Sequence, residues 1–126
     1  MTLGQQALRW FLIAFGLVCT GIALLHIALG PASIPGSVPV NATMDSEDRF
    51  YAALFLGFGL AHVWAARDLP RRAGTVLAMQ AVFFIGGLAR IVSALAVGLP
   101  GPLFIFLGGL ELVIPPGVWW ALRRAR

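Results

Sequence analysis

The stretch "GTVLAMQAVFFIGGLARIVSALAVG", residues 74–98, carries a single charged side chain, Arg90. As a helix it rises about 37 Å, more than the roughly 30 Å of a bilayer's hydrocarbon core. It is apolar on every face, so lipid and not water is its natural surround. Three further runs of the same kind lie at about 9–30, 47–66 and 102–122. The question that decides the reading is why one of these spans holds a permanent cation.

Composition agrees with the runs. Of 126 residues, 60% are hydrophobic and 11% charged, whereas soluble domains are near 45–50% apolar and about 25% charged. Four spans and three connections fill the chain, which predicts an all-α, polytopic four-transmembrane-helix bundle, a single domain over residues 1–126. The first run exceeds the usual 7–15-residue apolar region of a signal peptide, so it is expected to be a retained helix. The formal net charge of +4 does not point to nucleic acid, because the basic residues are few, all arginine, and placed mainly at helix ends. Cys19 stands alone in mid-span and reads as a small core residue with no disulfide to form.

Charge placement predicts topology. Arg9, Arg67, Arg71, Arg72, Arg123, Arg124 and Arg126 fall on one side of the four spans, and the positive-inside rule makes that side cytoplasmic. Both termini are then cytoplasmic, in a bacterial inner membrane. Trp10, Trp64, Trp119 and Trp120 fall at the same interface, where indole rings settle.

The connections have distinct chemistries. "GPASIPGSVPVNATMD" (30–45) is rich in Pro and Gly and excludes helix or central strand. Asp45 or Ser46 can cap the second helix, with Glu47 and Asp48 near its positive dipole end; the Asn41-Ala42-Thr43 sequon reads as chance. "RDLPRRAG" and "GLPGP" read as tight turns, the latter closing an antiparallel hairpin of the last two helices. Small residues recur every four positions, at Ala53, Gly57 and Ala61 and again at Gly86 and Ala94 around Arg90. Faces of this kind let membrane helices approach closely, either inside the bundle or against a partner.

Arg90 lies about 12 Å below the end of its helix and Glu111 about 13 Å below the start of the next. Opposite charges at matched depth on antiparallel neighbours predict an ion pair, since an isolated charge there is costly. Pro115 follows Glu111 by four residues and Pro116 does the same for Leu112, so a kink is expected near Glu111. Ser93 shares the face of Arg90, while His26, Glu47 and Arg49 lie toward the same end of the spans. Arg90, Glu111, Ser93, His26, Glu47 and Arg49 are therefore expected as one polar cluster. It either locks the helices or lines a small cavity for a lipid headgroup, small amphiphile or proton.

Other chemistries find no support. His26 and His62 differ in depth by about 12 Å, too far for a shared haem, and His62 beside Trp64 is expected to snorkel at the interface. A metal at His26 with Glu47 or Asp45 lacks supporting ligand spacing, so no metal or cofactor is expected. Neither a P-loop, a zincin motif nor a serine nucleophile with a base occurs. Small proton-coupled four-helix exporters are similar in size alone, since their acid lies in the first helix without a matched arginine.

"DSEDRFYAALFLGFGL" (45–60), "GGLARIVSALAVGLP" (86–100) and the late Glu111 together resemble a bacterial membrane family catalogued as domain of unknown function 4345. Its motifs correspond to Glu47, Arg49, Tyr51, Gly87, Arg90, Ser93 and Glu111; its Tyr-Gly-Gly is Tyr51-Ala52-Ala53 here. The resemblance implies a four-helix membrane fold and no activity. A looser likeness is to the small four-helix scaffold protein of ergosterol biosynthesis. The expected function is non-catalytic: an accessory or scaffold subunit packing against a larger cell-envelope complex that handles lipids. The alternative is a protein binding membrane lipids or small amphiphiles around Arg90 and Glu111, and a third is a proton-coupled transporter.

Overall fold

A computed structural model describes residues 2–125. Four long helices follow one another: α1 (Leu3–Leu29), α2 (Ala42–Ala66), α3 (Leu69–Val97) and α4 (Pro102–Arg124), with a 3-10 turn at Gly30–Ser33 between the first two. Each is long and apolar enough to cross a membrane, as the hydropathic runs require. Every helix begins at or before its expected start. The chain forms two compact units, one from Arg9 to Arg67 and one from Asp68 onward joined by the first turns of α1 up to Leu8.

Local signals explain the earlier starts. Asn41, not Asp45 or Ser46, caps α2: its side chain accepts a hydrogen bond from the Met44 N–H at 2.9 Å. Asparagine ranks with aspartate and serine at this position, so the residue that resembled a chance sequon is a structural cap. Helix α3 starts directly after Asp68 with Pro70 in its first turn, where a missing N–H costs nothing. Only Arg67 and Asp68 separate it from α2. Gly98 ends α3 at φ 102° with its N–H on the Ala94 carbonyl, a conformation that β-carbon-bearing residues resist.

In the first unit α1 and α2 run antiparallel. Gly16 meets Gly59, and further toward the end of α1 His26 meets Asp48 near the start of α2. At the crossing a β-carbon on Gly16 would stand 2.5 Å from the Gly59 carbonyl oxygen, and one on Gly59 2.7 Å from that of Gly16. Backbones can pass this closely only where both residues lack side chains. Thr20 completes the contact, with its hydroxyl donating to the Gly16 carbonyl at 2.8 Å. The close face of α2 is thus the one bearing Ala52, Gly59 and His62, all buried. The expected face is not: Ala53 and Gly57 are exposed, and a β-carbon on Gly57 would meet nothing within 4 Å. Four-residue spacing identifies small faces, but helix rotation decides which one meets a neighbour.

His62 departs from the expected snorkelling. It is wholly buried, with its ring edge-on to Phe58 at 4.5 Å and Phe15 at 5.0 Å. Its Nδ1 donates to the Phe58 carbonyl at 2.8 Å. Being half apolar, an imidazole fits an aromatic cage when its N–H is satisfied within the helix. Cys19 is buried in the same unit.

In the second unit α3 and α4 form the expected antiparallel hairpin around the short connection at 98–101. Gly87 is its point of close approach, where a β-carbon would stand 2.8 Å from the Leu112 side chain and 3.1 Å from that of Glu111. Gly86 does not contribute; it faces open space. Helix α4 continues unbroken through Pro115 and Pro116. Two missing N–H donors are tolerated because membrane helices re-satisfy freed carbonyls locally.

Candidate functional site

Two polar centres emerge, one in each unit. At the end of the α1–α2 hairpin, Arg49 donates from Nε to Asp45 Oδ1 at 2.7 Å. Its Nη1 donates to the carbonyls of Ile27 at 2.7 Å and Ala28 at 3.2 Å. Those are carbonyls of the last turn of α1, where the helix leaves acceptors unpaired and its dipole is negative. A guanidinium answers both needs. Gly30, at φ 67°, turns the chain out of α1 directly beneath this group. A β-carbon there would stand 2.7 Å from Asp45 Oδ2 and 2.9 Å from Arg49 Nη2, so both the conformation and the space require glycine.

His26, one turn before that end, pairs through Nδ1 with Asp48 Oδ2 at 3.2 Å. The acidic partners of His26 and Arg49 are therefore Asp48 and Asp45, whereas Glu47 is exposed and forms no ion pair among the described residues. Helical geometry explains the correction. Asp45, Asp48 and Arg49 share one face at spacings of three and four, and Glu47 points away from it. The acidic run "DSED" announced the site, but its most prominent acid is not the one used.

The second centre lies within the spans. Arg90 Nε donates to Glu111 Oε2 at 2.6 Å, the pair expected from matched depth. Glu111 is buried, with 12% of its side chain exposed, while Arg90 keeps 42%. Arg90 lies along one face of α4 made by Phe104, Gly108 and Glu111, spaced four and three apart. Its guanidinium carbon is 6.0 Å from the Phe104 ring centroid. A β-carbon on Gly108 would stand 3.3 Å from Arg90 Cδ, so this glycine leaves room for the arginine stem. That seat, Phe-x-x-x-Gly-x-x-Glu, is present in the sequence, but neither hydropathy nor charge marks it. Only the crossing at Gly87 shows that it faces Arg90.

The remaining donors of Arg90 are telling. Among the described residues, neither Nη1 nor Nη2 makes a hydrogen bond, since the single bond of the group is at Nε. Ser93, expected on the same face, is exposed and makes no side-chain hydrogen bond among the described residues. Of the six residues expected as one cluster, Arg90 and Glu111 are brought together directly. His26 and Arg49 belong to the hairpin end of the other unit, with partners of their own. Among the described residues no group of three His, Cys, Asp or Glu side chains is placed to hold a metal.

Chemically, the first centre holds a helix end and a turn. The second is a neutral ion pair that presents an open guanidinium edge. Among the described residues no nucleophile lies beside a base in either. Neither a curated protein nor a solved structure matches the chain. Residues 7–122, from the early turns of α1 to the close of α4 and including both centres, match the family described as Domain of unknown function (DUF4345), and the chain belongs to that family.

Proposed function

We propose that this chain is a non-catalytic accessory subunit, held in the bacterial cytoplasmic membrane and packing laterally against a larger membrane-protein complex that handles lipids. The observation that carries this reading is a set of exposed glycines in the helices, Gly21, Gly57, Gly74, Gly86, Gly109 and Gly117, at each of which a β-carbon would meet nothing within 4 Å; Gly57 on α2 and Gly86 on α3 lie near the middle of their helices. Exposed glycines give a partner's helix a face that it can approach closely, because association in lipid depends on packing and on small residues at the contact. The internal crossings use a separate set, Gly16, Gly59 and Gly87.

Purification in mild detergent after brief cross-linking, followed by mass spectrometry, tests the proposal. A stoichiometric membrane-protein partner is expected. Gly57→Leu or Gly86→Leu should lower its recovery roughly five-fold, the scale of a helix contact of about 1 kcal/mol, with helical content unchanged. Gly59→Leu should instead abolish accumulation of the folded chain. Recovery of the chain with no stoichiometric partner would refute the accessory role.

A further inference from the structure

The guanidinium of Arg90 combines four properties that together define a ligand. It is fixed at one end, because Glu111 holds Nε at 2.6 Å and the stem lies over Gly108. It is half exposed, and its two terminal nitrogens make no hydrogen bond among the described residues. Finally, it sits inside a span. Arg90 precedes the end of α3 at Val97 by seven residues, about 10 Å along the axis.

Depth narrows the choice of acceptor. The 29 residues of α3 rise about 43 Å, whereas the hydrocarbon core is roughly 30 Å thick. With the excess shared between both ends, Arg90 lies about 4 Å inside the hydrocarbon boundary on the side of the α3–α4 connection. The glycerol and phosphate groups of lipids adjoin that boundary, within reach of an arginine side chain. Unmet N–H donors at this depth are strongly disfavoured, since water is scarce there.

Geometry narrows it further. With Nε bound to Glu111, the open edge is the Nη1–Nη2 fork, which matches two oxygens of one phosphate. The surroundings on α3 leave space: Ala89 is exposed and small, and Ser93 adds a hydroxyl one turn toward the boundary. The Arg90–Glu111 pair is neutral overall, so recognition depends on the fork's hydrogen bonds more than on net charge. We propose that Arg90 binds the phosphodiester of one membrane phospholipid through Nη1 and Nη2, with Glu111 as the positioning group and Ser93 as an additional donor.

The inference needs no protein partner and is tested on the purified chain alone, by native mass spectrometry from detergent with defined lipids. One phospholipid adduct per chain is expected with a phosphatidylglycerol and with a phosphatidylcholine of the same acyl chains. A diacylglycerol lacking the phosphate should bind about ten-fold more weakly, the loss of a charge-assisted bidentate contact. The double variant Arg90→Gln with Glu111→Gln keeps size and neutrality, and should lose the adduct by about the same factor. Ser93→Leu leaves the ion pair untouched and crowds the fork, so a weakening of about five-fold is expected even if the double variant fails to fold. Undiminished adducts in both variants, or equal binding of diacylglycerol, would overturn the proposal. Partner recovery that depends on Arg90 beside lipid binding that does not would assign the fork to a protein helix and overturn it equally.

Discussion

Arg90 and Glu111 form one ion pair, but they contribute unequally because one is half exposed and the other buried. Removing the arginine strands a carboxylate in a low-dielectric site, and breaking a buried pair in this way costs about 3–5 kcal/mol. Removing the carboxylate leaves an arginine that already reaches the surface, where pair energies are discounted. Arg90→Gln is therefore expected to destabilise by about 3 kcal/mol and Glu111→Gln by about 1–2 kcal/mol. Reversible unfolding in mixed micelles would measure both, and the order of the two values is the critical result. The pair itself was legible from the sequence, since depth follows from counting residues to each helix end. The seat at Phe104 and Gly108 was not, because counting fixes height along a helix and not the direction a face points. His62 was misread for a related reason: its neighbour Trp64 marked an interface, while Phe15 and Phe58 bury it.

Among the elements, the end of α1 is the most dependent on a distant residue. Its last carbonyls, at Ile27 and Ala28, are met by Arg49 from α2, and Gly30 makes the exit possible. Arg49→Ala is expected to loosen the end of α1, because it removes the charge-assisted hydrogen bonds to its last carbonyls and the interaction with its dipole. Amide exchange should rise selectively over residues 28–34 while the crossing at Gly16 and Gly59 stays protected. Uniform exchange across both helices would show that Arg49 holds the whole hairpin and not its end. Helix identities were legible here, because apolar runs of this length have one stable form in lipid. The start of α4 at Pro102 was legible as well, but those of α1, α2 and α3 were not, as caps such as Asn41 act through local geometry that hydropathy does not register.

For the whole molecule, the arginine distribution is the strongest topological signal. We propose that both termini share one side with Arg67 in the α2–α3 connection and with Arg71 and Arg72 in the first turn of α3, the side that the positive-inside rule predicts to be cytoplasmic. In a Cys19→Ala background, a membrane-impermeant maleimide is expected to label Ser37→Cys in intact cells, and to label Thr2→Cys only after permeabilisation. The reverse pattern would invert the orientation. Cation–π stacks of Arg123 on Trp119 and Arg124 on Trp120, each at 4.8 Å, are suited to an interface where a ring and a charge share one boundary.

By itself, the sequence determined that four helices are long and apolar enough to cross a membrane, that the last two form a hairpin, and that Arg90 and Glu111 lie level with one another. These follow from length, apolarity and rise per residue, which are properties of a chain in one dimension. Tertiary structure alone decided which small residues meet. Gly16, Gly59 and Gly87 form the crossings, while Gly57 and Gly86 are left open. It also decided that Asp45 and Asp48, not Glu47, receive the basic groups, and that the fork of Arg90 has no hydrogen bond among the described residues. Each depends on the rotation of a helix about its axis. In lipid every face is apolar, so hydropathy leaves that rotation undetermined, and close packing together with hydrogen bonding sets it.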